Sequence, residues 1–430
     1  MPLFIITMLL GLVAAAVPVA AVLGILSLTL DEIFMRGRRS LMLGDFVWEQ
    51  SVEYLLVAIP MFILLGEIML RAGIAVRMYN AVAQWLSWLP GGLMHANIGS
   101  SAIFAATSGS SVATAATVGT VAYPEIEKRN YNESLFLGSI AAGGTLGILI
   151  PPSINLIIYG LLTNTSVPEL YLAGIFPGLA LALLFMAVVV VACLWKPHWG
   201  GEKVETDWAS RIRVLPDLLP PVMLFLAVVG SIYAGIATPT EAASIGVVFA
   251  LIIAAINKAL NIEMLKEAFE GTMRSSATIM LIILAAVFLN FVLGFMGVTQ
   301  VMLETIKELG WSPMETMIVI VLFYLLLGMF METLSMMLTT IPVVFPIVAH
   351  MGFDPVWFGI MITVLMEAAL ITPPIGINLY VVHGIRARGG KFSDVSIGAL
   401  PFLIAMFVLI AVLLVLPDIA VWLPQQFYGK

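Results

Sequence analysis

The sequence reads as an all-α polytopic membrane protein made of two inverted-topology repeats, and three observations lead there. Its 430 residues are 61% hydrophobic and 10% charged, with a mean hydropathy of +1.09, more apolar side chain than a soluble core of this length can bury. Two long apolar runs are each cut by a proline pair: GTLGILIPPSINLIIYG at Pro151 and Pro152, and EAALITPPIGINLYVVHG at Pro373 and Pro374. Two further stretches, Ser100 to Tyr123 and Pro313 to Val348, carry hydroxyls, glycines or a carboxylate where a plain span would not.

Taken in order, the apolar runs predict about ten full spans, at 2–30, 51–70, 78–97, 133–160, 170–195, 217–237, 240–257, 275–298, 355–382 and 399–423. Several lack Lys and Arg over 18 residues or more, enough for a roughly 30 Å hydrocarbon core, so helices and not barrel strands span it. The first run has no basic flank and is too long for a signal-peptide core, and reads as a retained span. The stretches near 100–123 and 313–348 are irregular at membrane depth. Such backbone is tolerated only inside protein or beside a water-filled cavity, and both read as re-entrant helical hairpins.

Basic residues test the topology. With the N-terminus outside and each hairpin returning to its own side, Arg36, Arg38, Arg39, Lys128, Arg129, Lys196, Lys203, Arg211, Arg213, Lys258, Lys266, Arg274, Arg386, Arg388 and Lys391 fall inside, 15 of the 19 Lys and Arg. Arg71, Arg77, Lys307 and Lys430 fall outside. The C-terminus is then also outside, the first hairpin opens inward and the second outward. The halves 1–215 and 216–430 become inverted copies. A shift of 222 residues carries Pro124 onto Pro346, Asn132 onto Asp354, Phe136 onto Phe358 and one proline pair onto the other; a shift of 224 carries Gly174 and Pro177 onto Gly398 and Pro401. Inverted repeats with paired broken helices are the architecture of secondary transporters, whose site lies between the repeats near the midplane.

The tip Ser108-Gly109-Ser110-Ser111 places small residues and hydroxyls at membrane depth, to contact a ligand or to pack helices closely. At the proline pairs the chain unwinds, because proline removes a donor and pushes its predecessor out of the helix. Unwinding frees carbonyls, such as those of Gly147 and Leu149 or Ala369 and Leu370, and oxygen suits a hard cation. Thr372, Asn155 and Asn378 add side-chain oxygens or amides beside the breaks; a kink serving only shape is the competing reading. Of the intramembrane carboxylates, Glu332 is the candidate for a second cation site, while Glu67 and Glu241 equally suit holding helices or a partner in place, and Glu367 has no assigned role. No Lys or Arg lies deep in a span, so an anion would meet hydroxyls, backbone N–H groups, half-helix N-termini and bound cations.

Other chemistry finds little support. His95, His198, His350 and His383 stand apart without metal spacing, no Walker motif occurs, and no nucleophile, base and orienting group can be assembled, so an enzyme is not expected. The lone Cys193 can form no internal disulfide. A net charge of -7 spread over many loops points to no nucleic acid. Trp48, Trp195 and Trp422 suit an interfacial belt; Trp85 and Trp88 fall awkwardly near the middle of a span.

Four ordered motifs, SGSSVATAATVG, GTLGILIPPSINLIIYG, GIATPTEAA and ITPPIGINLYV, together resemble the large membrane subunit of tripartite ATP-independent periplasmic (TRAP) transporters, within the ion transporter superfamily. The resemblance covers nearly the whole chain. It implies sodium-driven uptake of an organic anion, such as a C4-dicarboxylate, a sialic or other sugar acid or a related carboxylate, across the bacterial inner membrane. It also implies a small four-helix membrane subunit, a periplasmic substrate-binding protein, and an elevator in which both hairpins and both broken helices move against a scaffold. Carried onto this chain, sodium lies among Ser108, Ser111, Gly147 and Pro151, and among Gly328, Glu332 and Thr372. Substrate meets Ser108, Ser110, Ser111, Asn155, Thr333 and Asn378. An aspartate is common in the family where Glu332 stands. A cation channel or cation/proton antiporter without organic substrate is the alternative for the same broken helices.

Overall fold

The computed structural model describes residues 2–15, 17–37, 40–202, 204, 206–386 and 389–429, and among these there is no strand. The first half contains α1 (Pro2–Ala14), α2 (Val19–Met35), α3 (Leu43–Ser51), α4 (Ala58–Arg71), α5 (Ala75–Leu86), α6 (Leu93–Ser108), α7 (Ser111–Ala122), α8 (Pro124–Lys128), α9 (Glu133–Thr145), α10 (Ile154–Thr163) and α11 (Val167–Trp195). The second contains α12 (Trp208–Arg213), α13 (Leu219–Tyr233), α14 (Pro239–Ile256), α15 (Ile262–Phe295), α16 (Val298–Glu308), α17 (Pro313–Gly328), α18 (Thr333–His350), α19 (Pro355–Ile371), α20 (Ile377–Gly384), α21 (Phe392–Val415) and α22 (Asp418–Tyr428). Seven of the described helical segments are long and apolar enough to cross a membrane, including Tyr54–Arg71, Val167–Trp195 and Ile262–Phe295.

Three expected spans divide differently. The run 2–30 is two helices, because Pro18 holds an extended conformation at the start of α2; the rings of Phe4 and Phe34 lie 6.1 Å apart, so α1 and α2 turn back on each other. The run 78–97 is not a span. α5 stops at Leu86, and Gly91 and Gly92 take positive φ of 107° and 49° in a turn from which α6 starts, so the first hairpin runs from Leu93 and not from residue 100. This also places the two awkward tryptophans: Trp85 meets Trp208 edge-on near the end of α5, and Trp88 is exposed in the turn. The run 399–423 ends at Val415, and α22 follows after Pro417.

The contacts also sort helix ends onto two faces. Arg71 bonds to Glu267 at 3.2 Å and Arg77 to Asn257 at 2.5 Å, so both share a face with Lys258 and Lys266, contrary to the expectation that they lie on the opposite side. At the other end of α15, Phe46 of α3 packs on Phe291 with ring centres 4.2 Å apart. That puts α3, and with it the stretch from Arg36, on the face opposite Lys258, again a reversal. Both shifts have one cause: the run 2–30 folds back as two helices, and the run 78–97 turns at Gly91 and Gly92. Arg38, Arg39, Lys203, Arg388 and Lys430 lie outside the described residues.

Capping and close packing account for some of the spaced matches. Asn132 and Asp354 are both N-caps of the broken helices, accepting from Leu135 N at 2.9 Å and from Val356 N at 2.7 Å. Gly138 of α9 and Gly398 of α21 face each other so tightly that a Cβ on either would run into the other helix's backbone, at Gly398 O and Ser134 O respectively. Small residues permit such backbone approach between membrane helices. Gly174 of α11 sits likewise against Leu149 O, where an added Cβ would lie 2.7 Å away.

Candidate functional site

The first hairpin tip forms because Gly109 takes φ of 59° after α6, a conformation glycine adopts without cost, and Ser110 then caps α7, its Oγ accepting from Ala113 N at 3.4 Å. Inside the tip, Thr114 Oγ1 donates to Ser110 O at 2.7 Å and lies 3.0 Å from Ser108 Oγ. The tip is wedged between two elements. A Cβ on Gly147, in the 3₁₀ turn Leu146–Ile148 that continues α9, would lie 2.6 Å from Ser110 O, and one on Gly66 of α4 would lie 2.9 Å from Ser108 O. Beyond Pro151 and Pro152, Ser153 starts α10, its Oγ donating to Ile148 O and accepting from Leu156 N.

The second tip is capped by Glu332, whose carboxylate accepts from Ser335 N at 3.0 Å, Ser335 Oγ at 3.1 Å and Thr333 Oγ1 at 3.2 Å. Gly328 packs directly on Ala369, beside the break in α19. Thr372 ends that helix and donates to Ala368 O at 2.6 Å.

A cavity of about 220 Å³ joins these parts. Ser108, Ser110, Ser111, Asn155, Glu332 and Thr333, drawn from both hairpin tips and the first break, all line it. Gly147 lies just behind the first tip. Pro151, Gly328, Thr372 and Asn378 do not line it. Asn378 is buried and donates from Nδ2 to Ala141 O at 3.1 Å, tying the second break to α9.

Glu67 of α4 and Ser275 and Ile279 of α15 complete the wall. Sequence reasoning weighed Glu67 but left it out of the site, and Ser275 carried no signal of its own. Glu67 pairs with Arg71, which also reaches Glu267. Glu241 serves elsewhere, closing a capping box with Thr238 at the start of α14. Glu367 is fully buried in α19, and neither of its carboxylate oxygens has a hydrogen-bond partner. Among the described lining residues, the charged side chains are the carboxylates Glu67 and Glu332.

Two hairpin tips and a broken helix share this cavity, and comparison with known proteins gives the family. The profile of the family described as "Tripartite ATP-independent periplasmic transporter, DctM component" matches residues 6–419. The C4-dicarboxylate TRAP transporter large permease protein of Pseudomonas aeruginosa is 33% identical over 381 residues, covering 88% of each chain. The ectoine/5-hydroxyectoine TRAP transporter large permease protein of Ruegeria pomeroyi is 30% identical over 376 residues, covering 87% of each. The crystal structure of the Alcanivorax borkumensis YdaH transporter superposes with a TM-score of 0.64 over 99% of this chain and 98% of that one; at 16% identity the likeness is one of fold. The chain belongs to the large permease family of TRAP transporters, membrane transport proteins and not enzymes.

Proposed function

We propose that the chain is the translocating subunit of a sodium-coupled importer of a small organic carboxylate in the bacterial inner membrane. The observation that carries this reading is the single cavity shared by Ser108, Ser110, Ser111, Asn155, Glu332 and Thr333, because cargo held there touches both hairpins at once. Relatives named for C4-dicarboxylates and for ectoine support a carboxylate-bearing cargo.

Sodium suits the donors at hand. They are hydroxyls, carbonyls at an unwound helix end and a carboxylate, oxygen ligands of the kind hard cations take, at Ser108, Ser111, Gly147 and Pro151, and at Gly328, Glu332 and Thr372. Asn378 is retained as a substrate-side residue only through its hold on α9. The element order supports inverted repeats: α1, α2 and α4 answer to α13, α14 and α15, α5 to α16, each hairpin to the other, and α9–α10 to α19–α20. With the face carrying Lys258 and Lys266 inside, both termini lie in the periplasm and the crossings again total about ten, with α1 and α2 replacing 2–30 and 78–97. The hairpins and broken helices move as an elevator against α4 and α15, and a small four-helix subunit and a periplasmic binding protein complete the system.

The test is uptake of labelled acid into proteoliposomes holding this chain, its small subunit and its binding protein. Accumulation is expected to need an inward sodium gradient. Uptake unchanged when potassium replaces sodium would sink the coupling, and sodium flux with no acid accumulation would favour a channel or antiporter.

A further inference from the structure

We propose that the cargo of this cavity is a zwitterion, a small solute bearing a carboxylate and a protonated nitrogen together. The cavity is taken as the cargo site proposed above; the step beyond is the charge type of what fills it.

The carboxylate end is set by an unused donor. Asn155 lines the cavity, is 3% exposed, and its Nδ2 has no hydrogen-bond partner. A buried amide N–H without an acceptor is costly, and a carboxylate oxygen supplies the acceptor. The same cavity is lined by the start of α7, at Ser111, Val112 and Ala113. The N-terminus of that 12-residue helix favours negative charge.

The nitrogen end is set by charge. Glu67 and Glu332 line the same space, and no Lys or Arg does so among the described residues. Glu332 is occupied by its own helix cap. Glu67 is paired with Arg71, but that guanidinium is shared with Glu267, so one positive group serves two carboxylates and the cluster keeps net negative charge. Gly271 leaves the space that the Glu67 carboxylate fills, since a Cβ there would lie 2.8 Å from its Oε2. The sodium ions proposed above lie at the first tip with its break and at Glu332 with the second, away from Glu67, so a dianion would set its second carboxylate beside an uncompensated carboxylate, where like charges repel. A protonated nitrogen meets an acceptor in the same place. The volume, about 220 Å³, lies below the roughly 300–1,000 Å³ of sites for drug-sized ligands and limits the solute to a small one.

The experiment is thermal unfolding of the full chain in sodium-containing nanodiscs with ectoine, L-proline or succinate at equal concentration. Both zwitterions are expected to raise Tm and succinate to leave it unchanged. Glu67→Gln, which leaves Arg71 to Glu267 and the wall at this position neutral, is expected to erase the preference for the zwitterions over succinate, while Glu67→Asp keeps it; a residue that only braces helices would lower Tm without changing the preference among the probes. Stabilisation by succinate alone, equal stabilisation by all three, or none by any probe in the wild-type chain would each overturn the assignment, whether or not the variants fold. Replacing sodium by potassium reads ion coupling separately: zwitterion preference that persists in potassium supports the charge assignment while contradicting the sodium reading.

Discussion

Ser110 caps α7 and lines the cavity proposed to hold cargo. Its hydroxyl caps α7, so Ser110→Ala is expected to cost about 0.5–2 kcal/mol in stability, the usual range for a lost N-cap. Ser110→Gly, a fair cap, is expected to cost less in stability, yet both variants lack the hydroxyl at the cavity wall and are expected to raise alike the acid concentration needed for half-maximal uptake; wild-type values in both would remove Ser110 from the cargo site. Gly147→Ala is a sharper probe. Its Cβ would lie 2.6 Å from Ser110 O and 2.8 Å from Ser111 N, backbone atoms with no flexible chain to yield, so transport is expected to fall to background while the protein still inserts; near-normal uptake would show that the tip does not need to seat against the break. The tip was legible from sequence because four consecutive residues without an apolar side chain stand inside an apolar run. Glu67 was not, because its place on the cavity wall depends on α15, roughly 200 residues along the chain, folding against α4.

At the scale of elements, the α9 and α21 crossing rests on Gly138 and Gly398. Gly398→Val is expected to lower the melting temperature in detergent more than Gly384→Val, at a glycine with open space where a Cβ would go; equal losses would mean that helix propensity and not the crossing decides. Broken helices, hairpin tips and the long spans were readable from proline pairs, polar clusters and span length. α5 was misread because Pro90, Gly91 and Gly92 are flanked by Trp88, Leu89, Leu93 and Met94, so a hydropathy window smooths over a turn that positive φ makes sharp. Pro18 was passed over for the same reason. Together these two turns moved Arg36, Arg71 and Arg77 between faces. Cysteines at Arg77 and Lys258 are therefore expected to react with an impermeant maleimide from one side of sealed vesicles, and a cysteine at Trp48 from the other; opposite labelling of Arg77→Cys and Lys258→Cys would refute the two-face arrangement.

For the whole molecule, the proposed duplication rests on sequence spacing, with prolines and caps 222 residues apart and Gly174 and Gly398 separated by 224. The cavity could not be read from sequence, since it forms where two hairpins far apart in sequence meet α4, α10 and α15. Its charge follows from that meeting, and so does the case for cargo and cation sharing one site. The most direct test is labelled-acid uptake by the complete three-component system in proteoliposomes, with and without an inward sodium gradient. Sodium-dependent accumulation above equilibrium, lost in Gly147→Ala, is the expected result; accumulation of equal extent with potassium on both sides would contradict it.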